Sequence, residues 1–120
     1  MNAGVAALLI ALGLGAACAT EQTAGDEPRP EWLTALIEKL ETEPVANPPA
    51  FIARYDYRGQ PVYYLPPRCC DIPSSVYDAA GTVLCHADGG FSGDGDGRCP
   101  DFFLLRKHET IVWRDPRGAA

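Results

Sequence analysis

From Pro30 the apolar positions recur with a helical period. Trp32, Leu33, Leu36, Ile37 and Leu40 fall on one face, and Glu38, Lys39 and Glu41 on the other. Proline at the start, Glu31 in the first turn, and Pro44 with Asn47-Pro48-Pro49 beyond the end bound this amphipathic helix. From Phe51 the period changes to two: Phe51, Ala53, Tyr55 and Tyr57 alternate with Ile52, Arg54, Asp56 and Arg58. Gly59 then turns the chain into Val62-Tyr63-Tyr64-Leu65, which predicts a β-hairpin. Ser75-Val76-Tyr77 and Thr82-Val83-Leu84-Cys85, around a turn at Asp78–Gly81, predict a second hairpin. Thr110 to Trp113 has strand composition, and Phe102 to Leu105 is an apolar run too short to classify. The expected fold is α+β, with an N-terminal amphipathic helix packed on a small antiparallel sheet of hairpins and stapled by two disulfides. Without βαβ alternation or an internal repeat, the pattern argues against a nucleotide-binding fold.

The segment before this domain has a different character. The first seventeen residues carry no charged side chain, and Val5 to Leu14 form an apolar run that ends in Gly15-Ala16-Ala17. This is the shape of a signal peptide, and the run is shorter than the roughly 20 residues of a spanning helix. Leu14-Gly15-Ala16-Ala17-Cys18 resembles the lipobox of bacterial lipoproteins, in which the cysteine is the acylated first residue. The alternative is secretion as a soluble protein, with cleavage after Ala19 in an A-x-A pattern. Residues 18–29 then read as the lipid-attachment cysteine and a flexible tether, with a reach on the order of 20 Å. Residues 30–117 are the folded domain, and the expected location is the bacterial cell envelope, anchored through lipid in the outer membrane or periplasm.

The 120-residue composition, 47% apolar and 22% charged, is that of one small globular domain. Ten Lys+Arg against sixteen Asp+Glu leave a net charge of −6, which excludes the clustered cationic surface that nucleic acid requires. With Cys18 assigned to lipid, Cys69, Cys70, Cys85 and Cys99 make an even set that reads as disulfides in an exported chain. A Cys69–Cys70 bridge strains the intervening peptide. Setting it aside leaves Cys69–Cys85 with Cys70–Cys99, or Cys69–Cys99 with Cys70–Cys85. Either arrangement closes loops of roughly 16 to 31 residues, worth about 3 kcal/mol each. A zinc site on these thiolates with His86 or His108 lacks any C-x-x-C pair.

Asp88-Gly89-Gly90-Phe91-Ser92-Gly93-Asp94-Gly95-Asp96-Gly97 is rich in glycine and aspartate. Asp94 and Asp96 alternate as carboxylates do at the start of calcium loops, with Asp88 or Asp101 as completing ligands, but the run lacks the Glu at position twelve. Its other reading is a turn whose Asp side chains bond local backbone N–H groups. Calcium is the sole cofactor this pattern raises.

The series Asn47-Pro48-Pro49, Tyr55-Asp56-Tyr57, Gly59, Val62-Tyr63-Tyr64, Cys69-Cys70-Asp71, Tyr77-Asp78, Gly81, Cys85, Asp88-Gly89-Gly90, Gly93, Asp96-Gly97, Cys99 and Asp101-Phe102 resembles an uncharacterised family of small bacterial lipoproteins. The likeness runs from about Pro30 to Arg117. Some relatives carry a further cysteine pair at positions matching Trp32 and Ala80, which this chain lacks. Because the family is a domain of unknown function, the resemblance implies an envelope location and no activity.

His86 and His108 are the only histidines, and no G-x-S-x-G motif occurs, so the chain reads as non-enzymatic. Its partners are expected to be the membrane, through the N-terminal lipid, and a protein or glycan ligand. Tyr55, Tyr57, Tyr63 and Tyr64 supply either an aromatic binding face or cross-strand pairs within the sheet. The alternative functions are a protease-inhibitor-like domain that presents the loop between Cys85 and Cys99, or a calcium-binding domain.

Overall fold

The computed structural model describes residues 28–69 and 71–118. The signal peptide expected at 1–17, Cys18 and Cys70 lie outside the described residues. Helix α1 spans Glu31–Thr42, and the Pro30 carbonyl accepts the Leu33 and Thr34 N–H groups at its start. Glu43 is already extended and Pro44 follows, so the helix stops there. Strands β1 (Phe51–Tyr57), β2 (Gln60–Leu65), β3 (Ser75–Tyr77) and β4 (Val83–Cys85) run as an antiparallel meander. The chain then makes one turn of helix, α2 (Phe102–Leu105), and returns as β5 (Lys107–Arg114) on the far side of β1. The sheet order is therefore β4-β3-β2-β1-β5.

Arg58 and Gly59 join β1 to β2, both with positive φ (52° and 77°), the two-residue turn whose twist matches a hairpin. Arg58 is not a glycine, and the left-handed conformation costs it about 1 kcal/mol. Its guanidinium is held 2.6 Å from Asp101 and lies over the Tyr57 ring. At the β3–β4 turn, Asp78 Oδ1 accepts the N–H groups of Ala80 and Thr82. Trp32 Nε1 donates to Ala79 O across from the helix, tying α1 to this turn.

Side chains alternate between two buried clusters. Ala53, Tyr55, Tyr57, Val62, Tyr64 and Val76 project to one face and pack with Cys85, Cys99 and Phe102 from the segment that runs back to β5. Ile52, Tyr63 and Leu65 project to the other face, with Leu33, Ile37 and Leu40 of α1 and the half-buried Trp32, Tyr77 and Trp113. At the end of the helix, the Leu40 carbonyl accepts the capping Glu43 N–H, and Arg117 donates to the carbonyls of Leu40 and Glu43 and to the buried Asp115 carboxylate.

This architecture corrects the α+β expectation of a helix laid on a sheet of hairpins with two disulfides. The body is one five-strand antiparallel sheet, and its edge strand β5 belongs to no hairpin. Helix α1 is not a closely apposed second layer: its backbone makes few near approaches to any strand, and side chains reach the sheet instead. Among the described residues there is one disulfide, Cys85–Cys99. It overturns both pairings kept above, since each bonded Cys85 to Cys69 or Cys70. The physical reason is proximity, because the segment that folds back over the sheet brings Cys99 within a Cα–Cα distance of 6.0 Å of the end of β4. Cys69 is not a free thiol.

Phe102 is fully buried, whereas Leu104, two residues on, is 83% exposed. Phe102→Ala is expected to cost about 3–5 kcal/mol in urea unfolding, and Leu104→Ala to stay within about 0.5 kcal/mol. Equal losses would contradict this placement of the core.

Candidate functional site

The segment between Cys85 and Cys99 carries the residues that composition singled out. Both ends are anchored in the core: Cys85 is fully buried and Cys99 nearly so. Just inside the disulfide the two limbs clasp each other. Asp96 N–H donates to His86 O, while the Asp96 carboxylate accepts the backbone N–H groups of His86 and Arg98. These bonds, that from Arg98 first, hold the Asp96 carboxyl below the usual carboxylate range. Gly95 sits within this clasp with φ of +71°, and a Cβ there would stand 2.1 Å from His86 O, so only glycine fits. Farther out, Gly89 N–H donates to Gly93 O and Gly95 N–H to Gly89 O, folding the tip into tight turns.

A third strand of contacts fixes the loop to the domain. Ser74 is fully buried; its N–H donates to Asp88 O and its hydroxyl accepts the Asp88 N–H. His86 Nδ1 lies 2.6 Å from Ser74 O, and since a carbonyl only accepts, Nδ1 carries the proton in this bond. The Asp88 carboxylate accepts the Tyr64 hydroxyl at 2.9 Å. Beside the loop, a pocket of about 360 Å³ is lined by Asp71, Pro73, His86 and the loop residues from Gly89 to Ser92. Phe91, on its rim, is 97% exposed.

The four aspartates proposed for calcium do not converge. Asp88 serves Tyr64, Asp96 closes the clasp, Asp101 binds Tyr57 and Arg58, and Asp94 is exposed at the tip. Among the described residues, no three His, Cys, Asp or Glu side chains are grouped to hold a metal ion. The two histidines also have separate partners: His108, exposed on β5, places Nδ1 2.8 Å from Asp56. Tyr55, Tyr57, Tyr63 and Tyr64 are all buried, so none forms the outward aromatic face that the alternation allowed.

Three of these tyrosines have a different role, which sequence reasoning missed. Each donates its hydroxyl to an acidic residue of the returning chain: Tyr64 to Asp88, Tyr57 to Asp101 and Tyr55 to Glu109. The signal was present as acids spaced along the segment opposite a tyrosine-rich hairpin, but pairing them requires knowing that the segment crosses that face. Burial, then the bond to Glu109, pushes Tyr55 up to about 12, and burial followed by the Asp88 bond raises Tyr64 further. Tyr57 is raised by burial and then by its bond to Asp101. In turn Asp101 is held low by Tyr57 first and Arg58 second.

The signs of these shifts predict a two-sided pH dependence. A tyrosine raised above its unfolded value near 10 contributes stability that is present below that pH and lost as pH climbs toward 12. A lowered aspartate contributes stability that is present above about pH 4 and lost as pH falls through its depressed value. Thermal melts should therefore fall off at both ends, with Tyr57→Phe blunting the alkaline loss and Asp101→Asn the acid loss. A flat profile above pH 10 would contradict the assignment.

Among the described residues no helix is long and apolar enough to cross a membrane. No curated protein and no solved structure matches the chain. One family model does match, over residues 38–115, from within α1 to the end of the sheet. The chain belongs to that family, the Domain of unknown function (DUF6970).

Proposed function

We propose that this protein is a non-enzymatic module of the bacterial cell envelope, tethered by lipid on Cys18, that binds a partner protein through the Cys85–Cys99 loop. The observation that carries the reading is Phe91, a large apolar side chain left almost wholly in water on a loop closed by a disulfide and an internal clasp. Such a loop loses little conformational freedom on docking, so the burial of an aromatic anchor converts more fully into affinity. The loop that carries the anchor is acidic, with Asp88, Asp94 and Asp96 against the single Arg98 between the two cysteines, which favours a partner whose apolar socket has a cationic rim.

Export and lipid attachment are supported by the apolar run Val5–Leu14 and the cysteine that follows it. Binding in place of catalysis is supported by the separate partners of His86 and His108 and by the burial of Ser74, the hydroxyl tied to the His86 network. A protease-inhibitor role for the same loop is disfavoured by its backbone. Inhibitory loops present extended chain, whereas Gly89, Gly90, Gly93, Gly95 and Gly97 all adopt positive φ in tight turns.

Two experiments test the parts separately. Incorporation of radioactive fatty acid into the wild type and not into Cys18→Ser is expected, and label that ignores the substitution would overturn the anchor. With a photoreactive phenylalanine analogue at position 91, irradiation of intact cells should give a discrete adduct. Phe91→Ala should abolish co-purification of that partner while changing stability by no more than about 0.5 kcal/mol. Undiminished co-purification with Phe91→Ala would sink the loop as the binding element.

A further inference from the structure

A second exposed apolar element lies away from the loop tip. Helix α2 buries Phe102 completely, leaves Leu104 83% exposed, and leaves Phe103 and Leu105 half-exposed at 43% and 42%, the Phe103 ring edge-on to Tyr64 and Phe102. Arg106 follows, half-buried, its guanidinium 4.8 Å from both the Phe103 and the Tyr55 ring centroids and donating to the Tyr55 hydroxyl, and then comes the exposed Lys107. A short apolar ridge followed by an exposed lysine is the composition of a membrane-interface contact, in which the apolar side chains enter the acyl boundary and the cation stays among the headgroups.

The length of the tether permits this reading. Arg29 Nη2 donates to Val112 O, so Arg29 stands within a side chain's length of β5, the strand that begins directly after α2. From Val112 to Lys107 is roughly 17 Å along a strand. The ten residues between Cys18 and Arg29 reach at most about 35 Å. A lipid on Cys18 and the α2 ridge can therefore meet one bilayer surface. The ridge offers on the order of 300 Å² of apolar surface, short of the roughly 800 Å² per partner of a stable protein interface. It suffices for a contact whose effective concentration the anchor already supplies.

We infer that Phe103, Leu104 and Leu105 dock the domain onto the same membrane that holds Cys18, fixing its orientation and turning a free tether into a two-point attachment. The inference rests on the lipid-anchor reading above, and the two can fail separately. The test uses full-length acylated protein on vesicles of zwitterionic phospholipid whose acyl chains carry bromine. A Leu104→Trp variant is expected to show emission quenched by more than half relative to unbrominated vesicles, beyond the background that Trp32 and Trp113 give in the wild type. Trypsin cleavage after Lys107 should be slowed by vesicles in the wild type and not in Leu104→Asp.

If the acylated protein floats with the vesicles while the tryptophan at 104 stays unquenched, docking is overturned and the anchor stands. If Cys18→Ser floats and is quenched as fully as the wild type, the anchor reading fails while docking holds. A concentration-dependent emission shift without vesicles would assign the ridge to a second copy of the chain and overturn the inference.

Discussion

A sheet face lined with tyrosines is stable when covered only if each hydroxyl finds an acceptor under the cover, because an unsatisfied buried polar group costs about 1–3 kcal/mol. Tyr55, Tyr57 and Tyr64 impose that requirement here. The chain after β4 meets it with Asp88 and Asp101 from the segment that leads to β5 and Glu109 from β5 itself, one acid for each hydroxyl. Phe102 fills the space between the rings, edge-on to Tyr55 and Tyr57 and tilted over Tyr64. Everything from Cys85 to Glu109 is placed by this arrangement of one buried phenylalanine and three charge-assisted bonds.

The candidate site follows from that placement. Once Asp88 and Asp101 are fixed on the sheet, the chain between them closes on itself, and Cys99 arrives beside Cys85. The disulfide and the Asp96 clasp then support a loop that holds Phe91 out in water. Asp101 also holds Arg58 in its left-handed turn, so one carboxylate joins the β1–β2 turn to the base of the loop. On the opposite face, Arg117 ties the end of α1 to the end of β5 through Asp115, whose N–H donates to Ala50 O.

Local elements were legible in the sequence because local rules govern them. Helical spacing of Leu33, Ile37 and Leu40, with prolines at both ends, marks α1, and Gly59 between alternating segments marks the first hairpin. What lay beyond reach was long-range. Both faces of β1 are covered, so Arg54 and Asp56 alternate with tyrosines that are themselves buried, and polarity no longer reports which side is core. The four residues of α2 carry no period, although Phe102 is the central core side chain. Eliminating a Cys69–Cys70 bridge on strain removed the arrangement that contains Cys85–Cys99, since cysteine spacing says nothing of how the chain folds back.

Native-state hydrogen exchange reports whether the returning segment and the sheet open as one cooperative unit joined by the tyrosine–carboxylate bonds. The amides of Asp96, Phe102 and Arg106 are expected to exchange only through the global opening that releases the paired amides of β1 and β2. Tyr57→Phe should lower the opening free energy of both groups together. Amides of residues 86–106 exchanging through a separate, lower-energy opening, while β1 and β2 stay protected, would contradict it.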